Sequence, residues 1–448
     1  MNIPFKFHAH SFFNFKGLNN LRIPISLTFL NYLAVFSVFT DVFTYYEYLR
    51  APLIIMAIVL SLLILKTNKL YFNKTFLFLF CLASIITLIS IKLGYASLSR
   101  FLLQFVGILF SAFGFYYLIK INNNDALKIF KIYMRIAFLI ALIGVFQDIS
   151  YLLHFQPGYN YRYLHPGFTF HAARMGLLRV SSILHEPTGL VFILMPAFFA
   201  SLMSFFKGGF KFIKSWKALI IIMVFILTFS TTGYIGILFS LILVLISYHN
   251  IKYLFITFII MTLFVYSAYN GVAEVKGRVD VAIKYFTGQV QITSLKGTAF
   301  ASLSNAAISL MSFRDSPIFG FGLGSFENTY PRYMKNAIGV DIQKVNTGTI
   351  EMRLNYNDAS SLFFRLLSET GLLGVLAYFI FIKRFYLFKD NDHSKYLWII
   401  NNGILCYFFL RLGRGGHYFN EGFFLFFWLY YFSKLNSKNP TRKVFYEK

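Results

Sequence analysis

The sequence predicts an all-α, polytopic integral membrane protein with about twelve transmembrane helices. Hydrophobic residues make up 57% of the 448 residues and charged residues only 13%, and the mean hydropathy is +0.63. A soluble domain of this length would be about a quarter charged. The apolar residues also fall into runs of about twenty, which is the length that one membrane crossing requires. Composition and run length therefore both indicate repeated spans.

The predicted spans follow one another along the chain with short connections in most places. They centre on residues 24–41, 51–66, 76–92, 101–119, 136–153, 187–206, 218–231, 233–249, 253–270, 361–382, 396–412 and 418–433. The apolar stretch 218–249 is too long for one span, and the Ser-Thr-Thr-Gly sequence at its centre predicts a tight turn between two helices.

Lysine and arginine residues identify the predicted cytoplasmic side. If the N-terminus is cytoplasmic, every short loop on that side is basic and the C-terminus is cytoplasmic as well. This distribution follows the positive-inside rule. The formal net charge of +25 is thus spread over several separate segments. It does not form the single basic patch expected of a nucleic-acid-binding protein, so that class is excluded.

Two long segments remain on the predicted outer side, 154–186 and 271–360. The second lies between the ninth and tenth spans and is far longer than any other connection. Loops of this length in a compact membrane protein usually carry function. No internal repeat divides the chain, so we expect residues 1–448 to form one integrated membrane domain, with the long loop as its cap.

The outer segments carry arginines that the topology rule does not explain. They are Arg162, Arg174 and Arg179 in the first long loop, Arg278, Arg314, Arg332 and Arg353 in the second, and Arg411 and Arg414 in the last outer turn, RLGRGGHYF. The inner loops contain mostly lysine, which suffices to set orientation. Arginine instead presents a planar fork of donors that suits phosphate and pyrophosphate. The arginine bias therefore indicates an anionic ligand on the outer face.

Structural roles compete with ligand binding at these positions. Arg179 and Glu186 are also suited to an ion pair that joins a loop to a helix end, and the Glu-Pro sequence at 186–187 is typical of a helix start. Arg411 and Arg414 are also suited to extending their charges towards the membrane surface. Their spacing of three predicts that both lie on one face of a continuing helix.

Three further ionisable residues lie at or within predicted spans. His417 is either an interfacial residue that forms hydrogen bonds or a catalytic base. Arg365 and Glu369 lie one helical turn apart in the run SLFFRLLSETGLLG, where they form either an ion pair or part of a site. Ionised groups at membrane depth are costly, so they are functional candidates by default.

Other classes of site find little support in the sequence. There is no HExxH motif, no closely spaced pair of cysteines and no P-loop, so no metal or cofactor is predicted. Most spans are free of charged residues, whereas transport requires polar groups deep in several spans. The charges gather at the outer ends of the spans, which predicts binding or chemistry at the outer rim.

Four segments together resemble the O-antigen polymerase (Wzy) and O-antigen ligase superfamily. The first, RVSSILHEPTGLVFILMPAFFASL, places an arginine and a Glu-Pro element before a span. The second, ILTFSTTGYIGILFSLILVL, is similar to a Ser-x-Gly turn between spans. The third, FRDSPIFGFGLGSFENTY, contains a Pro-x-x-Gly-x-Gly-x-Gly loop, and the fourth, NYNDASSLFFRLLSETGLLGVLAYFIFI, is similar to the span that follows it. The resemblance covers about 187–249 and 311–382, together with the loop before them.

Details of these segments favour the polymerase branch. Ligases of the superfamily usually carry a histidine just before the span that begins here near residue 361. This chain has Asn355-Tyr356-Asn357-Asp358 there, without a histidine. The Glu-Pro element at 186–187 is similar to that of the polymerases.

The resemblance implies a metal-independent glycosyltransferase of the bacterial cytoplasmic (inner) membrane. Such an enzyme transfers a growing glycan from its polyprenyl-pyrophosphate carrier to an incoming lipid-linked repeat unit at the outer face. The partners implied are the polyprenyl-pyrophosphate-linked oligosaccharides, membrane lipid, a flippase and a chain-length regulator. The alternatives are a ligase-type transferase and, from another class, a flippase for lipid-linked oligosaccharide.

The same resemblance assigns roles to the outer residues. The pyrophosphate-binding candidates are Arg174, Arg314, Arg411 and Arg414, because a lipid pyrophosphate that leaves without a metal needs positive donors. The catalytic candidates are Glu186 with the neighbouring Arg179, followed by Asp358 and His417. A carboxylate or an imidazole at the rim can take the proton of the acceptor hydroxyl.

Overall fold

The fold is taken from a computed structural model of the chain. The structure describes residues 25–40, 43, 50–163, 168, 176–206, 211–248, scattered positions between 255 and 271, and residues 273–292, 295, 297–339, 356–388, 395–420 and 422–438. Fourteen helices of at least eleven residues have both ends among these residues, which contain no β-strand. They are α1 (Leu27–Ser37), α2 (Ala51–Thr67), α3 (Lys74–Lys92), α4 (Leu98–Ile121), α5 (Ala126–Leu152), α6 (Pro187–Phe206), α7 (Ser215–Leu227), α8 (Thr231–Tyr248), α9 (Ala273–Phe286), α10 (Gly297–Asp315), α11 (Phe326–Ile338), α12 (Leu362–Phe385), α13 (Lys395–Gly413) and α14 (Phe423–Ser437).

The all-α prediction is confirmed for the described residues. Helices occupy eleven of the twelve predicted spans, and only scattered residues of the ninth span, 253–270, are described. Five helices are long and apolar enough to cross a membrane, namely α3, α4, α5, α6 and α12, while α1, α2, α7 and α8 are shorter apolar helices. The chain is thus a multi-pass membrane protein, whereas the number of crossings and their orientation stay predictions.

The turn between the seventh and eighth spans lies earlier than predicted. α7 ends at Leu227 and α8 begins at Thr231, so most of the Ser-Thr-Thr-Gly sequence forms the first turn of α8. The backbone N–H of Tyr234 donates to the Ser230 carbonyl (3.0 Å), which places Ser230 just before that turn. Serine and threonine favour the start of a helix as much as a loop, so the sequence predicts the break correctly but not its position.

The bundle core is assembled around α6, which packs against α7 and α13. Pro196 removes a backbone donor from the middle of α6. The Tyr133 hydroxyl from α5 donates to the Ile193 carbonyl (2.6 Å) and accepts from the Ala197 N–H (3.1 Å), so it inserts into the helix where the ladder is disturbed. Gly403 lets α13 approach the Pro196 backbone closely. These contacts fix α6 and α13, whose predicted outer ends carry candidate site residues.

The predicted outer loop 271–360 contains three helices, α9, α10 and α11. α10 packs against α11 and α12. On α4, an Nη of Arg100 donates to the Glu327 carboxylate of α11 (2.8 Å), and the Tyr356 hydroxyl donates to the same carboxylate (3.3 Å). The loop therefore has helical structure of its own and is bonded to the end of a long apolar helix.

A glycine-rich loop, residues 316–325, lies against a kink in α12. Gly371, at the kink, has φ 60° and ψ −157°, which no helix contains. Four backbone hydrogen bonds join loop and kink: Phe321 N–H to Ser368 O (2.9 Å), Gly322 N–H to Glu369 O (2.8 Å), Leu372 N–H to Pro317 O (2.8 Å) and Leu373 N–H to Ile318 O (3.2 Å). The loop thus forms hydrogen bonds with backbone groups that lose their helical partners at the kink. Backbone groups inside a membrane need such partners, because no water is present to replace them.

Glycine is required on both sides of this contact. A Cβ on Gly320 would overlap the backbone of Glu369, and a Cβ on Gly371 would lie 2.5 Å from the Ile318 carbonyl oxygen. Both residues also have positive φ, which a residue with a side chain adopts only under strain.

We expect Gly371→Ala to lower the free energy of unfolding by about 2–4 kcal/mol, because it combines backbone strain with overpacking. The measurement is the melting temperature of the purified protein in detergent. Gly277→Ala is the control, since a Cβ at this position of α9 meets nothing within 4 Å. A Gly371→Ala protein that melts with the wild type would contradict the described contact.

Candidate functional site

A fully buried carboxylate, Glu369, lies about 11 Å along α12 from the start of that helix. It accepts hydrogen bonds from Arg365 Nε (3.1 Å), the Tyr418 hydroxyl (2.9 Å), the Gly324 N–H (3.0 Å) and the Phe326 N–H (3.3 Å). Four donors compensate the carboxylate for the hydration that it loses on burial. The ion pair that the sequence offered as one alternative is therefore present.

Arg365 is as buried as its partner, with 1% of its side chain exposed. Its Nη1 donates to the Gly416 carbonyl (3.0 Å), and its guanidinium lies over the Tyr418 ring, 4.4 Å from the centroid. Its Nη2 has no hydrogen-bond partner among the described residues. One guanidinium donor thus remains unsatisfied beside the turn that follows α13, and buried donors of this kind normally have partners.

The turn after α13 lies directly on the segment that precedes α12. Gly415 has φ 80°, and its N–H donates to the Ser360 carbonyl (2.8 Å). A Cβ on Gly416 would overlap the carbonyl oxygen of Asp358. Gly415 and Gly416 therefore allow two backbones to meet where a side chain would separate them.

This contact brings together two of the catalytic candidates, Asp358 and His417. His417 Nε2 lies 3.3 Å from Asp358 Oδ2, and 27% and 8% of the two side chains are exposed. The Ser360 N–H donates to the other Asp358 oxygen (3.0 Å) and fixes that carboxyl group. An imidazole paired with an oriented carboxylate is an arrangement suited to general base catalysis.

Burial sets the protonation of both groups in the same direction, towards their neutral forms. Burial lowers the pKa of His417 well below its ordinary range, and the nearby charges of Arg50, Arg365 and Arg411 lower it further. Burial also raises the pKa of Asp358, although Arg365, the Ser360 N–H, Arg411 and the Gly416 N–H oppose the shift. The imidazole is therefore neutral at pH 7 and able to accept a proton.

The helix predicted to continue through Arg411 and Arg414 ends between them, so that part of the prediction is wrong. α13 ends at Gly413, and the positive φ of Gly415 turns the chain away. Arg411 is fully buried, donates to the His417 carbonyl and lies over the Phe192 ring, 5.2 Å from the centroid. Its burial also excludes the alternative in which the charge extends to the membrane surface.

Arg414 instead reaches Glu186. Its Nη2 lies 3.9 Å from Glu186 Oε2, with 30% and 58% of the side chains exposed. α6 begins at Pro187, and the Leu190 N–H donates to the Glu186 carbonyl (3.3 Å), so the predicted helix start is confirmed. This pair places the Glu186 carboxylate at the rim, joined to the turn that carries His417, and its exposure makes it weak as a stabilising contact.

Two residues of this cluster were not singled out from the sequence. Arg50 precedes α2 and lies over the Phe419 ring, 5.5 Å from the centroid, and its charge acts on His417. Tyr418 binds the Glu369 carboxylate. Arg50 belongs to a predicted outer loop and could have been identified with the other outer arginines, whereas a single tyrosine among 30 carries no such signal.

The remaining candidates lie elsewhere or are not described. Arg179 is partly buried in the segment before α6. Arg314 is exposed in the last turn of α10 and has no contact with the cluster among the described residues. Arg174 lies outside the described residues. No group of three or more His, Cys, Asp or Glu side chains in the described part of the chain could hold a metal ion.

We expect Glu369→Gln to destabilise the protein by about 3–5 kcal/mol, because it leaves the Arg365 charge buried without a counter-ion. The double variant Arg365→Met/Glu369→Leu removes both charges and is expected to be more stable than Glu369→Gln. Melting temperatures in detergent, at equal protein and detergent concentrations, give the comparison. If Glu369→Gln alone melts with the wild type, the buried pair is not a determinant of stability.

Protonation of His417 also predicts a pH dependence of stability. Its pKa is lowered in the folded state, so the unfolded chain takes up a proton near pH 6.5 that the folded chain excludes. The free energy of unfolding is therefore highest above pH 6.5. It decreases as the pH falls towards the folded pKa, by up to about 1.4 kcal/mol per pH unit. Melting curves from pH 7.5 to 5 are expected to show a smaller loss for His417→Gln than for wild type. His154→Gln, at an exposed histidine after α5, is the control, and equal slopes for wild type and His417→Gln would contradict the burial argument.

Part of the chain matches a known protein family. Residues 216–379 match the family model Wzy_C, described as O-Antigen ligase. The match extends from α7 to α12 and includes the glycine-rich loop, Asp358, Arg365 and Glu369, but ends before Arg411 and His417. No curated protein and no solved structure matches the chain. This match over residues 216–379 supports the resemblance to the O-antigen ligase and Wzy superfamily.

Proposed function

We propose that the protein is a polysaccharide repeat-unit polymerase at the outer face of the cytoplasmic membrane. It transfers a growing glycan from a polyprenyl-pyrophosphate carrier to an incoming lipid-linked repeat unit. The observation that carries this proposal is the Asp358–His417 pair, 3.3 Å apart beside buried Arg411 and Arg365. The family match, which includes Asp358 and Arg365, supports a glycan-processing activity.

The leaving group explains the concentration of arginines. Departure of a pyrophosphate places negative charge on its oxygens, and guanidinium groups stabilise that charge best in a site that excludes water. Arg365 has a donor without a partner among the described residues, and Arg50 and Arg411 act on the same turn. Arg50 and Arg365 therefore join Arg411 and Arg414 as candidate ligands of the pyrophosphate.

His417 is the general base that accepts the proton of the acceptor hydroxyl. Its Nε2 faces Asp358, so the Nε2 proton is held by that carboxyl group and Nδ1 is left as the acceptor. As the acceptor hydroxyl attacks the anomeric carbon, its proton passes to Nδ1, the new glycosidic bond forms, and the old carbon–oxygen bond breaks. The electron pair leaves with the polyprenyl pyrophosphate. A bound pyrophosphate also offsets the arginine charges that lower the basicity of His417 in the free protein.

Three observations bear on the choice between polymerase and ligase. The family description names a ligase, which makes ligase activity the second candidate. The segment before α12 lacks the histidine of the ligases, and here the imidazole comes from the turn after α13 instead. The Glu186 element that resembles the polymerases pairs with Arg414 on this same turn. The missing histidine and the Glu186 element favour the polymerase.

The test is the surface-glycan pattern of a strain that lacks the gene and is complemented with wild type or variants at matched protein levels. We expect wild type to restore a ladder, and His417→Gln and Arg411→Gln to give single repeat units on the surface. Loss of a general base typically lowers the rate by about 10²–10⁴. Arg314→Gln, outside the cluster, is the matched control and should restore the ladder, and Arg179→Ala and Glu186→Ala measure the contribution of the rim.

Other outcomes identify the other functions. Long chains that are not attached to the surface in the deletion strain would indicate a ligase, and lipid-linked units trapped inside would indicate a flippase. A full ladder from both His417→Gln and Arg411→Gln would exclude the described cluster as the active site.

A further inference from the structure

A second feature of the bundle lies outside the candidate site. A groove of about 1160 Å³ runs between α3, α4, α12 and α14. One end reaches Leu362 and Tyr418, close to the candidate site, and the other end reaches Lys438 at the opposite face of the bundle. From Phe423 to Lys438 its α14 wall extends about 22 Å. This is larger than most pockets for small molecules, which measure about 300–1,000 Å³.

The wall of the groove is aromatic and aliphatic, but its far mouth is basic. Four helices or their ends contribute cations to that mouth: Lys74, Lys120, Arg384, Lys434 and Lys438. No aspartate or glutamate lines the groove among the described residues. This mouth lies on the predicted cytoplasmic side. The groove therefore joins a long apolar wall to a concentration of positive charge.

Membrane topology alone does not explain this arrangement. The positive-inside rule requires basic residues near the helix ends, but not their convergence on one groove. Lys434 and Lys438 lie one turn apart on one helix face, and like charges in that relation destabilise a helix. α3 also begins at Lys74, so the positive end of its dipole adds to the charge. An anion in the mouth would relieve each of these unfavourable contributions.

We propose that the groove binds one anionic phospholipid from the cytoplasmic leaflet. The phosphate lies among Arg384, Lys434 and Lys438, and the acyl chains lie along the aromatic wall towards Phe423. Charge complementarity selects an anionic headgroup, and the apolar wall selects a lipid over a free phosphate. The headgroup is bound at the end of the groove opposite the candidate site, so the proposal does not depend on the proposed function.

The test uses the full-length protein, purified in mild detergent and titrated with phosphatidylglycerol or phosphatidylcholine. Native mass spectrometry measures the bound lipid, and the shift in melting temperature measures its effect. We expect one tightly bound phosphatidylglycerol and little phosphatidylcholine. Lys434→Gln/Lys438→Gln should weaken phosphatidylglycerol binding about 30-fold, because each basic residue near an anionic lipid contributes about one factor of five. Lys211→Gln/Lys214→Gln, two exposed cations outside the groove, is the matched control and should bind as wild type.

A second variant tests the groove without changing its charge. Ala377 lines the wall, and Ala377→Trp should block the acyl chains and weaken binding while all five cations remain. Wild-type affinity in the lysine double variant would overturn the proposal. Wild-type affinity in Ala377→Trp would also overturn it, because the lipid would then be held at the surface and not in the groove. Equal binding of phosphatidylcholine, or no lipid bound to wild type, would exclude an anionic-lipid site.

Discussion

The candidate site depends on the burial of one carboxylate, that of Glu369. An ionised group at this depth is stable only when its lost hydration is replaced by donors. Its four donors come from three separate parts of the chain: α12 itself, the end of the glycine-rich loop, and the turn after α13. The same interaction that satisfies the charge therefore fixes these three segments relative to one another, and with them the positions of Asp358 and His417.

The glycines follow from this requirement. A loop can approach a helix closely enough to donate backbone N–H groups to a buried carboxylate only if side chains do not intervene. Gly320 and Gly371 allow the loop and the α12 kink to meet, and Gly416 allows the turn after α13 to lie on Asp358. Irregular backbone is tolerated at membrane depth only where protein satisfies its polar groups. The kink, the loop and the carboxylate thus form one structural unit.

Much of the fold could be predicted from the sequence because long apolar runs and charge placement act locally. Hydropathy located the helices of eleven predicted spans but not α9, α10 and α11 of the outer loop. The Glu-Pro sequence located the start of α6. The Arg365–Glu369 pair was among the alternatives, since it needs only one turn of helix. The features of the site that could not be predicted depend on contacts between residues far apart in the sequence. Asp358 lies beside His417 because Gly416 lets the turn after α13 contact the backbone at Asp358. The spacing of Arg411 and Arg414 predicted a continuing helix, but α13 ends between them.

The fixed cluster also bears on the choice between catalysis and transport. A transporter must expose its site alternately to the two sides, which requires the elements around it to move apart. Here the elements are joined by hydrogen bonds to the buried ion pair of α12: the glycine-rich loop and the turn after α13 donate to Glu369, and the same turn accepts from Arg365. Separation of the elements would leave the charges of this pair buried with fewer hydrogen-bond partners. Such a pair opposes rearrangement and favours a site that keeps its geometry throughout the reaction. For stabilisation of a departing pyrophosphate this rigidity is an advantage, because donors that are already oriented need not reorganise as the charge develops.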